Sequence, residues 1–282
     1  MKMKYLGTAA AEGWPATFCR CEYCDEARKR GGKDIRTRSQ TLFNDDLMVD
    51  LPADTYMHAL LHNLDLTAIK YLFITHAHSD HFYPLELAMR GGPFGHNMVS
   101  EEMHIYCSYH TKNYFYQQAG IETCEEIDEK LHWHVPHAYE PVQAGPYTVT
   151  PLPARHMTEI PLMQAFFYLI EEGDKSVLYM HDTGRALDEV LDYLQKENKK
   201  VDLVSFDCTC GLMDGQENGG HMGFYDTKML RDKMLARGIC DEHTRYILNH
   251  FSHNNGMLHK ELCDVVNPEG MDVSFDGMEV EI

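Results

Sequence analysis

Apolar residues along this chain fall in short runs separated by turn signals. Runs bounded by Gly, Pro, Asn or Asp predict strands over residues 3–6, 47–50, 71–75, 103–107 and 147–152. Further strands are expected at 165–171, 176–179, 202–207, 246–249 and 273–275, with Glu172-Gly173-Asp174-Lys175 closing a hairpin. Helical spacing is seen in 186–195, where Leu187, Val190, Leu191 and Leu194 repeat at i, i+3, i+4 and i+7. Residues 53–62, 85–89 and 227–237 are also expected to be helical. Strands dominate the first part and then recur with helices between them. That order predicts a layered α/β sandwich rather than a doubly wound parallel sheet. The segment 98–137 is rich in His, Tyr and Glu and has no clean period. It is expected to form an insertion or lid on a single domain spanning 1–282.

Composition narrows the functional classes. The 282 residues carry 44 Asp+Glu against 25 Lys+Arg, a formal charge of −19 with His neutral. Nucleic-acid binders gain affinity by neutralising phosphates, so a nucleic-acid partner is not expected. No apolar run reaches the roughly 18 residues that a membrane helix needs. The start, Met1-Lys2-Met3-Lys4-Tyr5-Leu6-Gly7, runs straight into a strand without a signal-peptide core. A cytoplasmic protein without a membrane partner is the expectation, and a homodimer is left open. Nine cysteines in a chain this long point to metal or redox chemistry more than to disulfides.

The densest chemistry follows the apolar strand at 71–74. Thr75-His76-Ala77-His78-Ser79-Asp80-His81 places four candidate ligands within six positions. Three imidazoles and a carboxylate at a strand end would carry a large desolvation cost without a partner. This His-x-His-x-Asp-His run resembles the signature of the metallo-β-lactamase superfamily, and the later motifs of that family follow in order. Asp50 ends Leu47-Met48-Val49-Asp50, where the family keeps an Asp that supports the metal loop. His156 stands at the third-motif position in Pro153-Ala154-Arg155-His156. Asp182, in Tyr179-Met180-His181-Asp182-Thr183-Gly184, matches the carboxylate that bridges two metals. His250, in Leu248-Asn249-His250-Phe251-Ser252, matches the final ligand. The resemblance runs from Tyr5 to about Asn254.

It implies an αββα sandwich with two divalent metals in the active site. His76, His78 and His156 would hold one, and Asp80, His81 and His250 the other, with Asp182 shared. Neutral imidazoles suit Zn²⁺, while the carboxylates leave Mn²⁺ or Fe open. Such a pair activates a bridging water for attack and stabilises charge developing on the substrate.

Cys19-Arg20-Cys21-Glu22-Tyr23-Cys24 supplies three of the four positions of a structural zinc. Within the same superfamily, PhnP-type phosphodiesterases carry such a Cys-x-Cys-x-x-Cys site, closed by a His three residues beyond the last active-site ligand. The matching residue is His253, which implies one structural Zn. In the same group a loop His, downstream of an acidic residue, reaches the scissile phosphate. His221, in Gly219-Gly220-His221-Met222-Gly223, matches it, with Asp207 as its orienting acid and Asp80 as a further catalytic carboxylate.

The expected activity is a metal-dependent phosphodiesterase acting on a small, anionic nucleotide or sugar phosphate ester, cyclic ones included. Three alternatives stay open: tRNase Z-type RNA processing, a lactonase or other small-ester hydrolase, and a non-catalytic cofactor-pathway protein. His181, beside Asp182, departs from the small or polar residue expected there; it either supports the centre or crowds the pocket.

Overall fold

Alternate side chains of a strand face opposite ways, and here both faces of both sheets are apolar. The computed structural model describes residues 1–156, 164–215 and 219–282. β1 (Lys2–Gly7), β2 (Gln40–Phe43), β3 (Leu47–Val49), β4 (Tyr71–Phe73), β5 (Met103–Tyr106) and β6 (Leu131–His134) lie side by side in chain order. The first three are antiparallel, and β3 to β6 are parallel. The second sheet begins with antiparallel β7 (Val142–Ala144), β8 (Tyr147–Pro153), β9 (Phe166–Glu172) and β10 (Lys175–Met180). It continues in parallel through β11 (Leu203–Asp207), β12 (Arg245–Asn249) and β13 (Asp272–Val273). Finally β14 (Glu279–Glu281) returns to pair with β1.

Between the sheets, Tyr5, Val49, Phe73 and Tyr106 meet Tyr168, Ile170, Tyr179 and Ile247 in one buried layer. The outer faces are covered by helices: α1 (Glu22–Arg30), α2 (Thr55–His62), α3 (Tyr109–Ala119), α4 (Glu125–Asp128), α5 (Asp188–Lys196), α6 (Phe224–Ala236) and α7 (His259–Val266). Met48, Leu72 and Ile105 pack with Phe115 and Ala119 of α3. Leu178, Val204 and Leu248 pack with Val190, Leu191 and Leu194 of α5 and Leu262 of α7. The result is the expected αββα sandwich. Among the described residues, no helix is long and apolar enough to cross a membrane.

One expectation is corrected. Residues 98–137 are not an insertion or lid, because they contain β5, α3, α4 and β6 and extend the first sheet by two parallel strands. The pattern is hard to read because α3 buries only Thr111, Phe115 and Ala119, one side chain per turn. In addition, β6 is an edge strand on which only Leu131 is fully buried. The segment expected as a helix at 85–89 winds as a 3-10 turn over Pro84–Met89.

The parallel strands β3 and β4 end at the same rim as β10, β11 and β12. Phe166 N–H donates to the Thr75 carbonyl there (2.9 Å), tying the two sheets together. Phe73 anchors the layer behind that rim, stacked on Tyr106 (4.4 Å between centroids) and edge-on to Tyr168 (5.3 Å). Phe73→Ala is expected to lower unfolding free energy by about 3–5 kcal/mol, measured by urea denaturation. A loss below about 1 kcal/mol would show that this layer does not hold the sheets together.

Candidate metal centre

The rim collects residues from six strand ends. Asp50 follows β3, the 75–81 run follows β4, His156 follows β8, Asp182 follows β10, Asp207 ends β11 and His250 follows β12. Three of them leave their strands with left-handed backbone: Asp50 (φ 67°), Asp182 (φ 51°) and His250 (φ 63°). For residues other than glycine this conformation costs roughly 1–2 kcal/mol. It turns each side chain across the end of its sheet instead of along the strand.

Two of the groups of potential ligand atoms that result match the expected sites, and a further, overlapping one joins Asp182, Asp207, His221 and His250. Of the matching two, His76, His78 and His156 form one; Asp80, His81, Asp182 and His250 form the other. In the first, His76 Nε2 and His156 Nε2 lie 2.9 Å and 3.1 Å from His78 Nδ1. In the second, His81 Nε2 and His250 Nε2 are 3.2 Å apart, and Asp80 Oδ2 lies 3.3 Å and 3.6 Å from them. Asp182 reaches both, with Oδ2 against His81 Nε2 and 3.5 Å from His76 Nε2.

The other nitrogen of several of these rings is already engaged. His81 Nδ1 donates to Asp50 Oδ2 (2.6 Å), and Asp50 Oδ1 accepts from the Thr75 N–H and hydroxyl (2.8 and 2.9 Å). His156 Nδ1 faces the Gly220 carbonyl at 3.3 Å. A side chain at position 220 would bring its Cβ to 2.6 Å from that nitrogen, so the approach needs glycine. The Thr209 hydroxyl donates to the His250 carbonyl (2.9 Å) and accepts from His250 Nδ1 (2.7 Å). These partners leave the Nε2 lone pairs of His81, His156 and His250 turned inward, the usual arrangement around a metal. Nitrogens sharing one tetrahedral zinc sit about 3.3 Å apart, close to the spacings here. Asp182 Oδ1 is buried with no hydrogen bond among the described residues. Facing lone pairs and an unpartnered buried carboxylate oxygen are the donor set of a divalent cation, so the residues fit the expected metals.

Asp207, fully buried, organises the next layer. Its Oδ2 accepts from the Asp182 N–H (3.0 Å) and from His221 Nδ1 (3.1 Å), with the Thr209 hydroxyl oxygen 3.3 Å away. Its Oδ1 accepts from the N–H groups of Thr209 and Met222, each at 3.0 Å. Burial opposes protonation of His221, but the Asp207 carboxylate, helped by Asp182 and Asp80, pushes the ring up to about 9. Dications nearby would act in the opposite sense.

His181 does not crowd the pocket. It is fully buried beside Tyr179, with Nε2 2.8 Å from the Ser205 hydroxyl and Nδ1 3.4 Å from the Ser39 hydroxyl. Burial holds its pKa well below the usual histidine value, so it is a neutral spacer between the sheets. Thr75, Thr209 and Gly220 are supporting residues that sequence reasoning does not single out. Only their closeness to the motifs could point to them.

A separate cluster lies behind His250. Cys19, Cys21, Cys24 and His253 converge, with His253 Nδ1 3.5 Å from Cys21 Sγ and 3.8 Å from Cys19 Sγ. A tetrahedral zinc would set those edges at about 3.6 Å. The Cys21 thiol resists ionisation through burial, yet the Cys24 N–H and His253 pull its pKa down to about 6. Cys24 Sγ accepts from the Ala16 N–H at 3.3 Å. Ser252, between the two histidines, donates to Glu12 Oε1 at 2.5 Å.

The family model for the Beta-lactamase superfamily domain matches residues 48–247, and the chain belongs to that family. Its fold is shared with a diphosphatase from the PhnP family, at a TM-score of 0.72 and 16% identity, covering 100% of this chain and 97% of that one. It is shared equally with zinc-bound PqqB from Methylobacterium extorquens (TM-score 0.71, 17% identity, 100% of both chains). The short form of human tRNase Z is also similar (TM-score 0.66, 16% identity, 100% and 99%). No curated protein sequence matches.

Two expected outcomes follow from the second layer. Asp50→Ala should weaken metal binding by about 10–100-fold, read by competition with a chromogenic chelator; unchanged affinity would mean that His81 needs no orienting partner. Cys21→Ser should release zinc from the cysteine cluster and also lower metal retention at the rim, because His253 and His250 share one loop. Metal analysis after dialysis separates the two losses, and full retention at the rim would rule out the coupling.

Proposed function

We propose that this protein is a metal-dependent hydrolase that cleaves small anionic phosphodiesters. The observation that carries this reading is the His221–Asp207 pair. A third-exposed imidazole stands beside both ligand clusters, its Nδ1 held by a buried carboxylate, its ring 5.0 Å from that of His156. Ester cleavage at phosphorus needs a proton for the departing alkoxide, and an imidazole with one nitrogen fixed offers the other for that purpose. In this reading Nδ1–H stays on Asp207 and Nε2 carries the transferable proton.

His76, His78 and His156 would hold one divalent ion, and Asp80, His81 and His250 a second, with Asp182 shared. Zn²⁺ suits this donor set, with Mn²⁺ or Fe as competing occupants. When bound, the pair supplies an activated water and positive charge for the phosphoryl oxygens. Asp50, Thr75 and Thr209 keep the ligand rings from rotating. Asp80 doubles as a carboxylate facing the reacting centre. Cys19, Cys21, Cys24 and His253 would hold a structural Zn²⁺ that fixes the loop carrying His250.

Charge supports a small substrate. On a chain of formal charge −19, bound dications make one local positive spot, which attracts a compact anion while the surrounding surface repels a long polyanion. RNA processing is disfavoured on that ground. A lactonase gains no support from His181, which packs between the sheets, or from residues 98–137, which belong to the first sheet. The PhnP-family diphosphatase among the similar structures agrees with phosphorus chemistry.

The test is a substrate panel on metal-reconstituted protein: bis-p-nitrophenyl phosphate, 2′,3′-cyclic nucleotides, a cyclic sugar phosphate, a lactone and a pre-tRNA. Turnover of the diesters is expected. Turnover of the lactone alone, or of pre-tRNA alone, would overturn the reading. His221→Ala should lower kcat by about 10²–10⁴-fold on diesters with alkyl leaving groups. The loss should be much smaller on bis-p-nitrophenyl phosphate, whose leaving group needs no proton. Equal losses on both would make His221 a positioning group instead of an acid.

A further inference from the structure

The segment that carries His221 is held at both ends by one side chain. Asp226, the third residue of α6, is fully buried. Its Oδ2 accepts from the Gly215 N–H (2.5 Å) and from the Gly223 N–H (2.9 Å). Those two glycines stand eight positions apart, with His221 between them. Its Oδ1 accepts from Arg185 Nη1 at 2.5 Å, and Arg185 lies three residues beyond Asp182. One carboxylate thus joins the loop of the shared ligand to the segment of the proposed acid.

Packing around this carboxylate leaves little room for adjustment. A Cβ at position 215 would stand 2.5 Å from the His221 carbonyl oxygen and 2.7 Å from Asp226 Oδ2. A Cβ at 184 would stand 1.9 Å from the Gly219 carbonyl oxygen. Gly215 is therefore seated directly on the backbone of His221, and Gly184 on that of Gly219. A carboxylate in the first turn of a helix is favoured by the unsatisfied N–H groups there, but that role asks only for the bond to Gly223. The bond to Gly215 and the ion pair with Arg185 add nothing to capping. Both instead fix where the His221 backbone lies relative to Asp182. That placement matters because His221 Nδ1 is already 3.1 Å from Asp207 Oδ2. A shift of about half an ångström would take the pair out of hydrogen-bond range.

We propose that Asp226, clamped by Arg185, is a positioning residue that sets the His221 imidazole against Asp207 and both ligand clusters. The inference rests on the reading of His221 as proton donor to the departing alkoxide; Asp226 is buried and acts through His221.

The test compares wild type with Asp226→Asn, both reconstituted with metal. The amide keeps the volume but cannot accept from two glycine N–H groups and Arg185 together. On diesters with alkyl leaving groups kcat should fall at least about tenfold, toward the roughly 100-fold that a 1 Å misplacement costs. On bis-p-nitrophenyl phosphate the loss should be much smaller, with KM unchanged on both. Adding Asp226→Asn to His221→Ala should cost nothing further, since residues that act as one unit are not additive. Equal losses on the two esters, or losses that multiply in the double variant, would overturn the inference. Should Asp226→Asn fail to fold, Arg185→Met breaks the same clamp from a partly exposed position and should give the same leaving-group pattern; unchanged kcat in that variant would overturn the inference too. A structural readout separates this inference from the hydrolase reading. The His221 ring N–H proton, assigned in the NMR spectrum by its loss in His221→Ala, should be protected from exchange in wild type and exchange rapidly in Asp226→Asn, whichever substrates turn over. Equal protection in both proteins would sink the positioning role even if every diester is cleaved.

Discussion

A carboxylate shut away from water cannot stay ionised without opposing charge, and Asp182 is the group on which this constraint falls hardest. It is 2% exposed, yet His76, His81, His250 and His221 all approach it within 3.5 Å. Those four rings come from three separate parts of the chain. Neutral rings with lone pairs turned inward do not offset the charge themselves, so gathering them around Asp182 prepares the place for cations and ties the two sheets together at one rim. The parallel strands of each sheet must end at a common rim. The Thr75 carbonyl accepts across the gap from Phe166. The inter-sheet layer of Tyr5, Phe73, Tyr168 and Tyr179 keeps water from reaching the carboxylate from behind.

Much of this is legible in the sequence because each ligand follows an apolar run. The 75–81 segment, His156, Asp182 and His250 stand at strand ends, where a period-2 pattern stops and polar residues begin. The sandwich can be read for the same reason. What escapes is structure whose burial is sparse or one-sided, or whose buried residues are polar. β2 is fully buried but reads Gln-Thr-Leu-Phe, with its polar groups paired internally: the Gln40 side chain meets the Asp50 carbonyl and His58. α3 shows the core only one residue per turn, and β6 is an edge strand with two histidines. The supporting hydroxyls of Thr75 and Thr209 are invisible too, since a threonine signals nothing until its partner is known. His181 looks like a pocket residue because of its neighbour in sequence, but the left-handed backbone at Asp182 sets that residue's side chain apart from its neighbour's, and His181 packs between the sheets.

Asp207 shows how few groups do the organising. One carboxylate accepts four hydrogen bonds, from the N–H groups of Asp182, Thr209 and Met222 and from His221 Nδ1. It thereby sets a ligand's backbone, the residue whose hydroxyl orients His250 and the proposed acid at once. A second economy is the loop from His250 to His253, which serves two clusters of opposite character: oxygen and nitrogen donors at the rim, sulfur donors behind it. The hard and soft preferences of these sets would favour different ions at the two, although they share a few residues of backbone.

The left-handed turns at Asp50, Asp182 and His250 bear on how ions come and go. A backbone held in that conformation by sheets and buried hydrogen bonds does not wait for a ligand to shape it. The rim is therefore a cradle whose shape would not depend on the ion it would hold. The cysteine cluster is the contrary case. It sits on a loop and the first turn of α1, where few strands enforce its shape, so any ion it held would itself have to fix that shape.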